Sequence, residues 1–87
     1  MSPADRVTRL RALWTEILNV DTVRDDQHFL ELGGDSIAAT LCLNAVADEF
    51  DVTVPMTMLL EENVTFRVFA RNVERTLADA TSRVSSA

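Results

Sequence analysis

Glycine and proline are too scarce in this sequence to supply the turns of a many-stranded sheet. Its 87 residues include two prolines, Pro3 and Pro55, and two glycines, which are adjacent as Gly33 and Gly34. Tight turns rely on these two residue types, so long regular elements are expected instead. A chain of this length folds as one domain and buries about 60–65% of the surface that its unfolded state exposes. The sequence therefore predicts a small helical domain.

Apolar residues recur at steps of three and four in three segments, which predicts three amphipathic helices. The first helix is predicted from about Pro3 to Asn19, with Ser2 as its N-cap. The second begins near Ser36, and Thr65 caps the last. Their apolar faces comprise Val7, Leu10, Leu13, Trp14, Ile17 and Leu18 in the first, Ala39, Cys42, Leu43, Val46 and Phe50 in the second, and Phe66, Phe69, Ala70, Val73 and Leu77 in the last.

The rest of the chain completes a predicted all-α architecture. Residues 56–62 suffice for one or two helical turns, whereas residues 20–35 show no helical period. We predict a four-helix bundle of three main helices and a short third helix, with a long loop between helices 1 and 2. The domain is expected to span residues 1–80, followed by a frayed tail at 81–87, where the residues are small and polar.

The loop between helices 1 and 2 is a candidate functional segment. A loop of about fifteen residues is uncommon in so small a domain, and long ordered loops often carry function. Phe29, Leu30 and Leu32 are its apolar anchors, and Phe29 and Leu32 are predicted to pin it to the core. His28 beside them is expected to be a solvated loop residue.

Charge is distributed unevenly along the chain. The formal net charge is −6, from 14 acids and eight arginines with no lysine. Residues 21–62 hold ten acids and one base, Arg24, and so carry −9, whereas the flanks carry +3. This balance argues against nucleic acid and anionic membranes as partners, because both would be repelled. An acidic central segment predicts a partner with a basic surface, although a solvated acidic face is an alternative.

No group of residues in the sequence is arranged for catalysis, because the acids are plentiful but scattered. His28 is the only histidine, and no nearby acid is placed to orient it, so a Ser–His pair has no support. Cys42 is the only cysteine, which excludes an internal disulfide and a cysteine-based zinc site. It falls on the core face of the second helix and is predicted to be a small buried hydrophobe. We expect neither a catalytic residue nor a metal site.

Nothing in the sequence indicates a membrane-spanning or secreted protein. No apolar run approaches the roughly 18 residues that are needed to cross a bilayer. The first six residues lack the charged and apolar regions of a signal peptide. The reduced cytoplasm is therefore the predicted location, and a monomer is the predicted state.

The tetrapeptide from Gly33 to Ser36 precedes the second helix and contains both glycines. Adjacent glycines allow a partner's backbone to approach closely. Asp35 is a natural N-cap, and Ser36 lies at a helix N-terminus, where free N–H groups and the helix dipole favour an anion. Two interpretations stay open on these residues alone: a site for a phosphate attached to Ser36, or a loop followed by a helix cap.

The face of the second helix away from the core is unexpectedly apolar. Ile37 and Leu41 share it with Asn44 and Asp48. Apolar residues beside acids on such a face suggest contact with a partner, or packing under a loop.

The segment from Asp26 to Ile37 resembles the attachment motif of phosphopantetheine-dependent carrier proteins, whose usual form ends in Leu-Gly-Gly-Asp/His-Ser-Leu/Ile. Residues 51–55 resemble the family's extended segment, and residues 63–66 resemble the start of its last helix. The resemblance covers about residues 5–77. The double glycine is more similar to peptidyl carrier proteins of nonribosomal peptide synthesis than to acyl carriers.

This sequence departs from the family pattern at two positions. Leu30 replaces a second aromatic residue, which is a mild change within an apolar anchor. Val64 stands where the family often has proline, which predicts a less rigid start of the last helix. Neither position belongs to the attachment chemistry.

The resemblance implies a covalent 4′-phosphopantetheine on Ser36, with Asp35, Gly34 and Gly33 forming the attachment site. The group's thiol would hold an aminoacyl thioester, and all catalysis would belong to partner enzymes. The implied partners are a phosphopantetheinyl transferase, an adenylation enzyme, and condensation or other thioester-processing enzymes. Docking residues are then expected at Ile37 and Leu41, with Met58 and Leu59 as weaker candidates.

Two alternatives to a peptidyl carrier remain at this point. One is an acyl carrier protein of polyketide or fatty-acid type, which differs in the group loaded onto the thiol. The other is a small helical interaction domain without a prosthetic group. The sequence leaves the identity of the cargo open, because an adenylating partner selects it.

Overall fold

Four helices make up the fold. The structure is a computed structural model that describes the backbone of residues 2–86 and the side chains of residues 2–80. The helices are α1 (Pro3–Leu18), α2 (Ser36–Phe50), α3 (Thr57–Leu60) and α4 (Phe66–Ser86). The predicted all-α bundle with a short third helix is confirmed. The predicted domain boundary and frayed tail stay predictions, because the side chains of residues 81–87 lie outside those described.

Local residues fix the ends of the two helices that flank the long loop. Ser2 Oγ accepts a hydrogen bond from Asp5 N at 3.2 Å, which caps α1 as predicted. Both helices end at residues with left-handed backbone: Asn19 (φ 55°) and Asp51 (φ 57°). Each donates its N–H to a carbonyl of the preceding turn, and Asn and Asp tolerate this conformation better than most residues.

The core is centred on Trp14. Its ring packs edge-on against Phe29 and Phe66, with centroids 5.1 Å apart in both pairs, and lies tilted 5.5 Å from Phe69. These four side chains are completely buried. Aromatic pairs of this geometry add about 0.5–1.5 kcal/mol to the free energy of burial. This ring cluster therefore ties α1, the loop and α4 together.

The second helix contributes the small residues of the core. Ala39, Cys42 and Val46 are completely buried, which confirms the predicted core face. Leu43 and Phe50 are only partly buried and lie at the edge of the core. The fully buried face of α2 is therefore narrower than predicted. It consists of small side chains, which allow the helix to pack closely against the core.

The long loop is attached to the start of α4 by its backbone. Phe66 N donates to Gln27 O at 2.8 Å, and Arg67 N donates to Asp25 O at 3.0 Å. His28 and Thr65 form an antiparallel bridge. The first two N–H groups of α4, which have no intrahelical acceptor, are thus satisfied by loop carbonyls.

Side chains reinforce this attachment from two directions. The Arg11 guanidinium donates to Val23 O and, at 2.5 Å, to the Asp25 carboxylate. His28 Nδ1 donates to Val64 O at 3.1 Å, because a carbonyl only accepts. His28 is therefore not the freely solvated residue that we expected, since its ring reaches the start of α4.

Val64 forms two hydrogen bonds at the start of α4, and its effect on the rigidity of that junction stays a prediction. Besides accepting from His28, it donates its N–H to Glu61 O at 3.1 Å, a bond that proline is unable to form. Thr65 Oγ1 then accepts from Val68 N at 3.3 Å and caps the helix as predicted. Hydrogen bonds therefore hold this junction in place of a proline ring.

Arginines of α1 connect it to its neighbours by ion pairs. Arg6 binds both carboxylate oxygens of Glu74 on α4, at 2.6 and 2.8 Å, and Arg9 binds Glu49 on α2. The Arg9 guanidinium lowers the pKa of the Glu49 carboxyl, chiefly through the hydrogen bond. No described helix is both long and apolar enough to cross a membrane.

Candidate functional site

Ser36 is the first residue of α2, and its side chain is exposed. Asp35 before it is extended (φ −134°, ψ −172°), and its carboxylate accepts from Ala38 N at 2.9 Å. The first N–H groups of a helix have no intrahelical acceptor and form its positive end. The Ser36 hydroxyl therefore stands in a position that favours an attached anionic group.

The two glycines before Ser36 are required for different reasons. Gly33 has left-handed backbone (φ +94°), which side-chain-bearing residues rarely adopt, although a Cβ there would meet no atom within 4 Å. At Gly34 a Cβ would lie 2.3 Å from Phe29 Cδ2, far inside van der Waals contact. Gly33 thus supplies a turn, and Gly34 supplies a close approach to the core.

Four large apolar side chains are exposed, one in the loop before Ser36, two on α2 and one directly before α3. Their exposed fractions are 42% for Leu30, 72% for Ile37, 56% for Leu41 and 38% for Met56. Ile37 and Leu41 are four residues apart on α2 and therefore share a face. Their exposure excludes the alternative that they pack under a loop. We refer to these four residues as the exposed apolar set.

Two predicted placements are wrong, those of Leu59 at the docking surface and of Leu30 as an anchor in the core. One exposed residue, Met56, was not predicted. Leu59 is completely buried, so it is unavailable for docking in this fold, and Met58 is half-buried against the core. Leu30 is exposed rather than an anchor, because Phe29 and the partly buried Leu32 already fasten the loop. Met56 belongs to the exposed apolar set. Its position directly after Pro55 and before α3 was the only feature of the sequence that could have indicated its exposure.

Several exposed carboxylates in the loop, on α2 and after α3 form no ion pair within residues 2–80. The ion pairs among residues 2–80 use the carboxylates of Asp25, Asp26, Glu49 and Glu74. Exposed acids without an ion pair in this part of the chain include Glu31, Asp35, Asp48, Glu61 and Glu62. Glu31 and Asp35 each accept one backbone hydrogen bond, from His28 N and Ala38 N, but none of the five acids has a cationic partner within residues 2–80. Their charge is therefore available to a basic surface, the kind of partner that the charge distribution predicted.

The one cysteine is unsuited to thiol chemistry in the folded protein. Cys42 is completely buried on the core face of α2, and burial raises the pKa of its thiol to about 12. The reactive form of cysteine is the thiolate, which this environment suppresses. Among the described residues, no three His, Cys, Asp or Glu side chains are grouped to hold a metal ion.

The geometry at Ser36 fits a phosphate ester. The hydroxyl is exposed, it stands at the positive end of a 15-residue helix, and two residues without side chains precede Asp35. An attached group therefore meets neither a side chain from the glycines nor a buried surface. Among the described residues no carboxylate or imidazole is hydrogen-bonded to the Ser36 hydroxyl, because His28 is engaged with Val64 and Asp35 accepts from Ala38 N.

Comparison with known proteins places these features in context. The family model described as "Phosphopantetheine attachment site" matches residues 8–73. Tyrocidine synthase 2 from Brevibacillus parabrevis is 33% identical over 66 residues, which is 76% of this chain and 2% of that protein. The chain spans between 1% and 6% of the length of the curated relatives it matches.

Two solved structures share the fold. BlmI, a type-II acyl-carrier-protein from Streptomyces verticillus involved in bleomycin biosynthesis, has a TM-score of 0.77 and 31% sequence identity. That match covers 86% of this chain and 89% of BlmI. The A-PCP didomain of carboxylic acid reductase from Segniliparus rugosus, in complex with AMP, has a TM-score of 0.75 and 25% identity, covering 83% of this chain and 10% of that one.

Proposed function

The chain belongs to the phosphopantetheine attachment site family, and from this premise we propose that Ser36 is the residue that receives the group. Members of this family carry 4′-phosphopantetheine covalently on a serine. Ser36 is the only serine among residues 8–73, the segment that the family model matches. This observation carries the assignment, and the exposed position of Ser36 at the start of α2 supports it.

The attachment step requires a separate transferase with coenzyme A and a magnesium ion. Ser36 Oγ attacks the phosphorus that bears the pantetheine, and the bond from that phosphorus to the bridging oxygen breaks. Adenosine 3′,5′-bisphosphate leaves, and the hydroxyl proton passes to a base of the transferase. Because no described carboxylate or imidazole is hydrogen-bonded to the Ser36 hydroxyl, we propose that the chain is a substrate in this reaction rather than its catalyst.

We propose that the loaded chain is a peptidyl carrier. The attached group supplies a flexible thiol that holds an aminoacyl group as a thioester. The double glycine and the similarity to nonribosomal peptide synthetases support an aminoacyl cargo. The acyl-carrier alternative differs only in that cargo, so loading by amino-acid-adenylating against acyl-adenylating enzymes distinguishes the two.

The exposed apolar set and its acidic surroundings form the proposed docking surface. Ile37 and Leu41 are its centre, Met56 and Leu30 extend it, and the half-buried Met58 contributes at its margin. A small apolar contact with a charged rim gives the fast, reversible association that a shuttle between enzymes needs. Proposed partners are the transferase, an adenylation enzyme, and condensation or other thioester-processing enzymes.

The carrier function also predicts where and in what state the chain works. Its thiol must stay reduced, which supports the cytoplasm as the proposed location. The didomain structure of carboxylic acid reductase joins an adenylation domain to a carrier domain, which supports an adenylation enzyme as a partner. A monomer is proposed, since the exposed apolar set is needed for changing partners.

Intact-mass spectrometry tests the assignment of Ser36. The protein is incubated with coenzyme A, magnesium and a transferase of broad specificity. We expect a gain equal to one phosphopantetheine group for the wild type and no gain for Ser36→Ala. No gain in the wild type, or an undiminished gain in Ser36→Ala, would contradict the proposed function. A small helical interaction domain without a prosthetic group would then be the better interpretation.

A further inference from the structure

A single close contact connects the core to the attachment residue. Gly34 lies against the ring of Phe29 so closely that a Cβ would be 2.3 Å from Cδ2 and 2.4 Å from Cε2. Gly34 N also donates to Phe29 O at 3.0 Å. The backbone two residues before Ser36 therefore rests directly on an aromatic side chain.

Phe29 is unable to yield at this contact. Its ring is completely buried and packs edge-on against Trp14, with 5.1 Å between the centroids. Trp14 is in turn confined by Phe66 and Phe69. Gly34, by contrast, is only half-buried. Any added volume at Gly34 is therefore accommodated by displacement of the loop rather than of the ring.

Displacement of Gly34 is transmitted to Ser36 over a very short distance. One residue, Asp35, separates them, and it is extended and anchored by its own bond to Ala38 N. The rest of α2 is held in the core by Ala39 and Cys42. A shift at Gly34 consequently alters the first turn of α2 and leaves the remainder of the helix in place.

We propose that Phe29 is a positioning residue for the modification of Ser36. Its ring is the surface on which Gly34 rests, and it sets where the Ser36 hydroxyl stands relative to the docking surface on α2. The inference rests on the proposed function of Ser36. It assigns to Phe29 a role in presenting the hydroxyl in addition to its part in the core.

A double-mutant cycle between the two positions tests this role. Gly34→Ala is expected to lower the kcat/KM of the transferase reaction by about 10- to 100-fold, because small misplacements of a reacting atom cost rates of this size. Phe29→Leu removes Cε2 and leaves side-chain carbons that rotate away from residue 34. The double variant is expected to react several-fold faster than Gly34→Ala although its Tm is lower. The recovery is partial, since Phe29 O would still lie 2.7 Å from the new Cβ.

A positioning role predicts that the double variant reacts faster than Gly34→Ala while its Tm is lower, and a merely structural role does not. If Phe29 only filled the core, the double variant would be the slowest as well as the least stable. A double-variant rate equal to the product of the two single effects, within about twofold, would overturn the inference. A wild-type rate in Gly34→Ala would overturn it too.

Gly33→Ala is the matched control. It also adds one methyl group next to the site, but it acts through backbone strain at φ +94° and not through contact with Phe29. Phe29→Leu is therefore expected to leave the defect of Gly33→Ala uncorrected. Equal recovery of both glycine variants would contradict a specific contact between Phe29 and Gly34.

Nuclear magnetic resonance tests the contact without any transferase. In the unsubstituted protein, Gly34 Hα is expected to show a nuclear Overhauser effect to the Phe29 ring protons, and absence of that signal overturns the inference even if a variant fails to fold. The amide signals of Asp35 and Ser36 should shift in Gly34→Ala and move back in the double variant. If the contact is present but the wild type gains no mass with coenzyme A and transferase, the proposed function is contradicted. The contact between Phe29 and Gly34 would then be established, but without a role in modification.

Discussion

The ring cluster and the exposed apolar set place the same kind of side chain in opposite environments. Trp14, Phe29, Phe66 and Phe69 are completely buried, whereas Ile37, the most exposed of the other group, leaves 72% of its surface in water. Burial of each large ring contributes about 1.5–3 kcal/mol to the free energy of unfolding. The exposed set forgoes that contribution, which agrees with its proposed role in contacts with other molecules.

Charged side chains divide in the same way. Arginines of α1 form ion pairs with Glu74, Glu49 and Asp25, and thereby join α1 to α4, α2 and the loop. Other exposed acids, such as Glu31 in the loop and Asp48 on α2, have no ion pair among the described residues. The arginines of α1 therefore help to hold the fold, whereas the unpaired acids agree with the proposed docking to a basic surface.

The largest expected effect comes from truncating the ring cluster. Phe69→Ala is expected to lower the free energy of unfolding by about 3–5 kcal/mol, because it removes a buried ring and leaves a cavity. Leu41→Ala, in the exposed set, should change it by less than about 0.5 kcal/mol. Urea denaturation measures both, and equal midpoints for the two variants would mean that the division between the regions is wrong.

A smaller effect is expected from acidification, which acts on the ion-paired acids. Hydrogen bonds from Arg11 and Arg9 lower the pKa of Asp25 and Glu49 in the folded protein. Their stabilising contribution is therefore complete above the unfolded-state pKa values of about 4 and is lost as the pH falls through the lower folded-state values. The urea midpoint should accordingly decline below about pH 4.

A pair of neighbouring substitutions isolates this contribution. Glu49→Gln removes one of the two titrating ion pairs and should make the decline shallower. Asp48→Asn alters the adjacent acid of α2, which forms no ion pair within residues 2–80, and should leave the dependence of the urea midpoint on pH unchanged. The same flattening in both variants would show that general charge, and not the Arg9–Glu49 pair, determines the profile.

The smallest effect on stability is expected for Ile37→Asp in the exposed apolar set, which should nevertheless slow the reactions of the chain with its partner enzymes. Ile37→Asp places an acid in the first turn of α2, where the helix dipole favours it, so the Tm should stay within a few degrees of the wild type. Transferase modification and aminoacyl loading should slow by about tenfold, equivalent to ~1.4 kcal/mol of docking energy. Ala78→Asp adds the same charge at an exposed site on α4 and should leave both rates unchanged. Circular dichroism showing an unfolded Ile37→Asp protein would place Ile37 in the core instead.

The features of the fold that depend on residues close together in the chain were predicted from the sequence. Ser2, Asp35 and Thr65 cap helices as expected, because a cap uses a side chain and an N–H two or three residues away. The main helices each have several turns, which is enough for the spacing of apolar residues to define a buried face. The position of Ser36 at the start of α2 followed from these local rules.

Prediction failed where a position depends on residues that are distant in the chain. A helix of four residues has one turn and no repeated period, so Leu59 and Met56 were not distinguishable as buried and exposed. The bond from His28 to Val64 spans 36 residues, and no local pattern marks it. The contact of Gly34 with Phe29 is close in sequence, yet it depends on the ring being held by Trp14 from another helix.

The count of reactive thiols in the native protein tests the central claim most directly. That claim is that the reactive group is acquired at Ser36, because the chain's own thiol at Cys42 is buried with a pKa of about 12. At pH 7, a chromogenic disulfide should detect no fast-reacting thiol before treatment with coenzyme A and transferase, and one afterwards. The Ser36→Ala variant should show no fast-reacting thiol before or after the treatment. A fast-reacting thiol before treatment, or no increase afterwards in the wild type, would contradict this account.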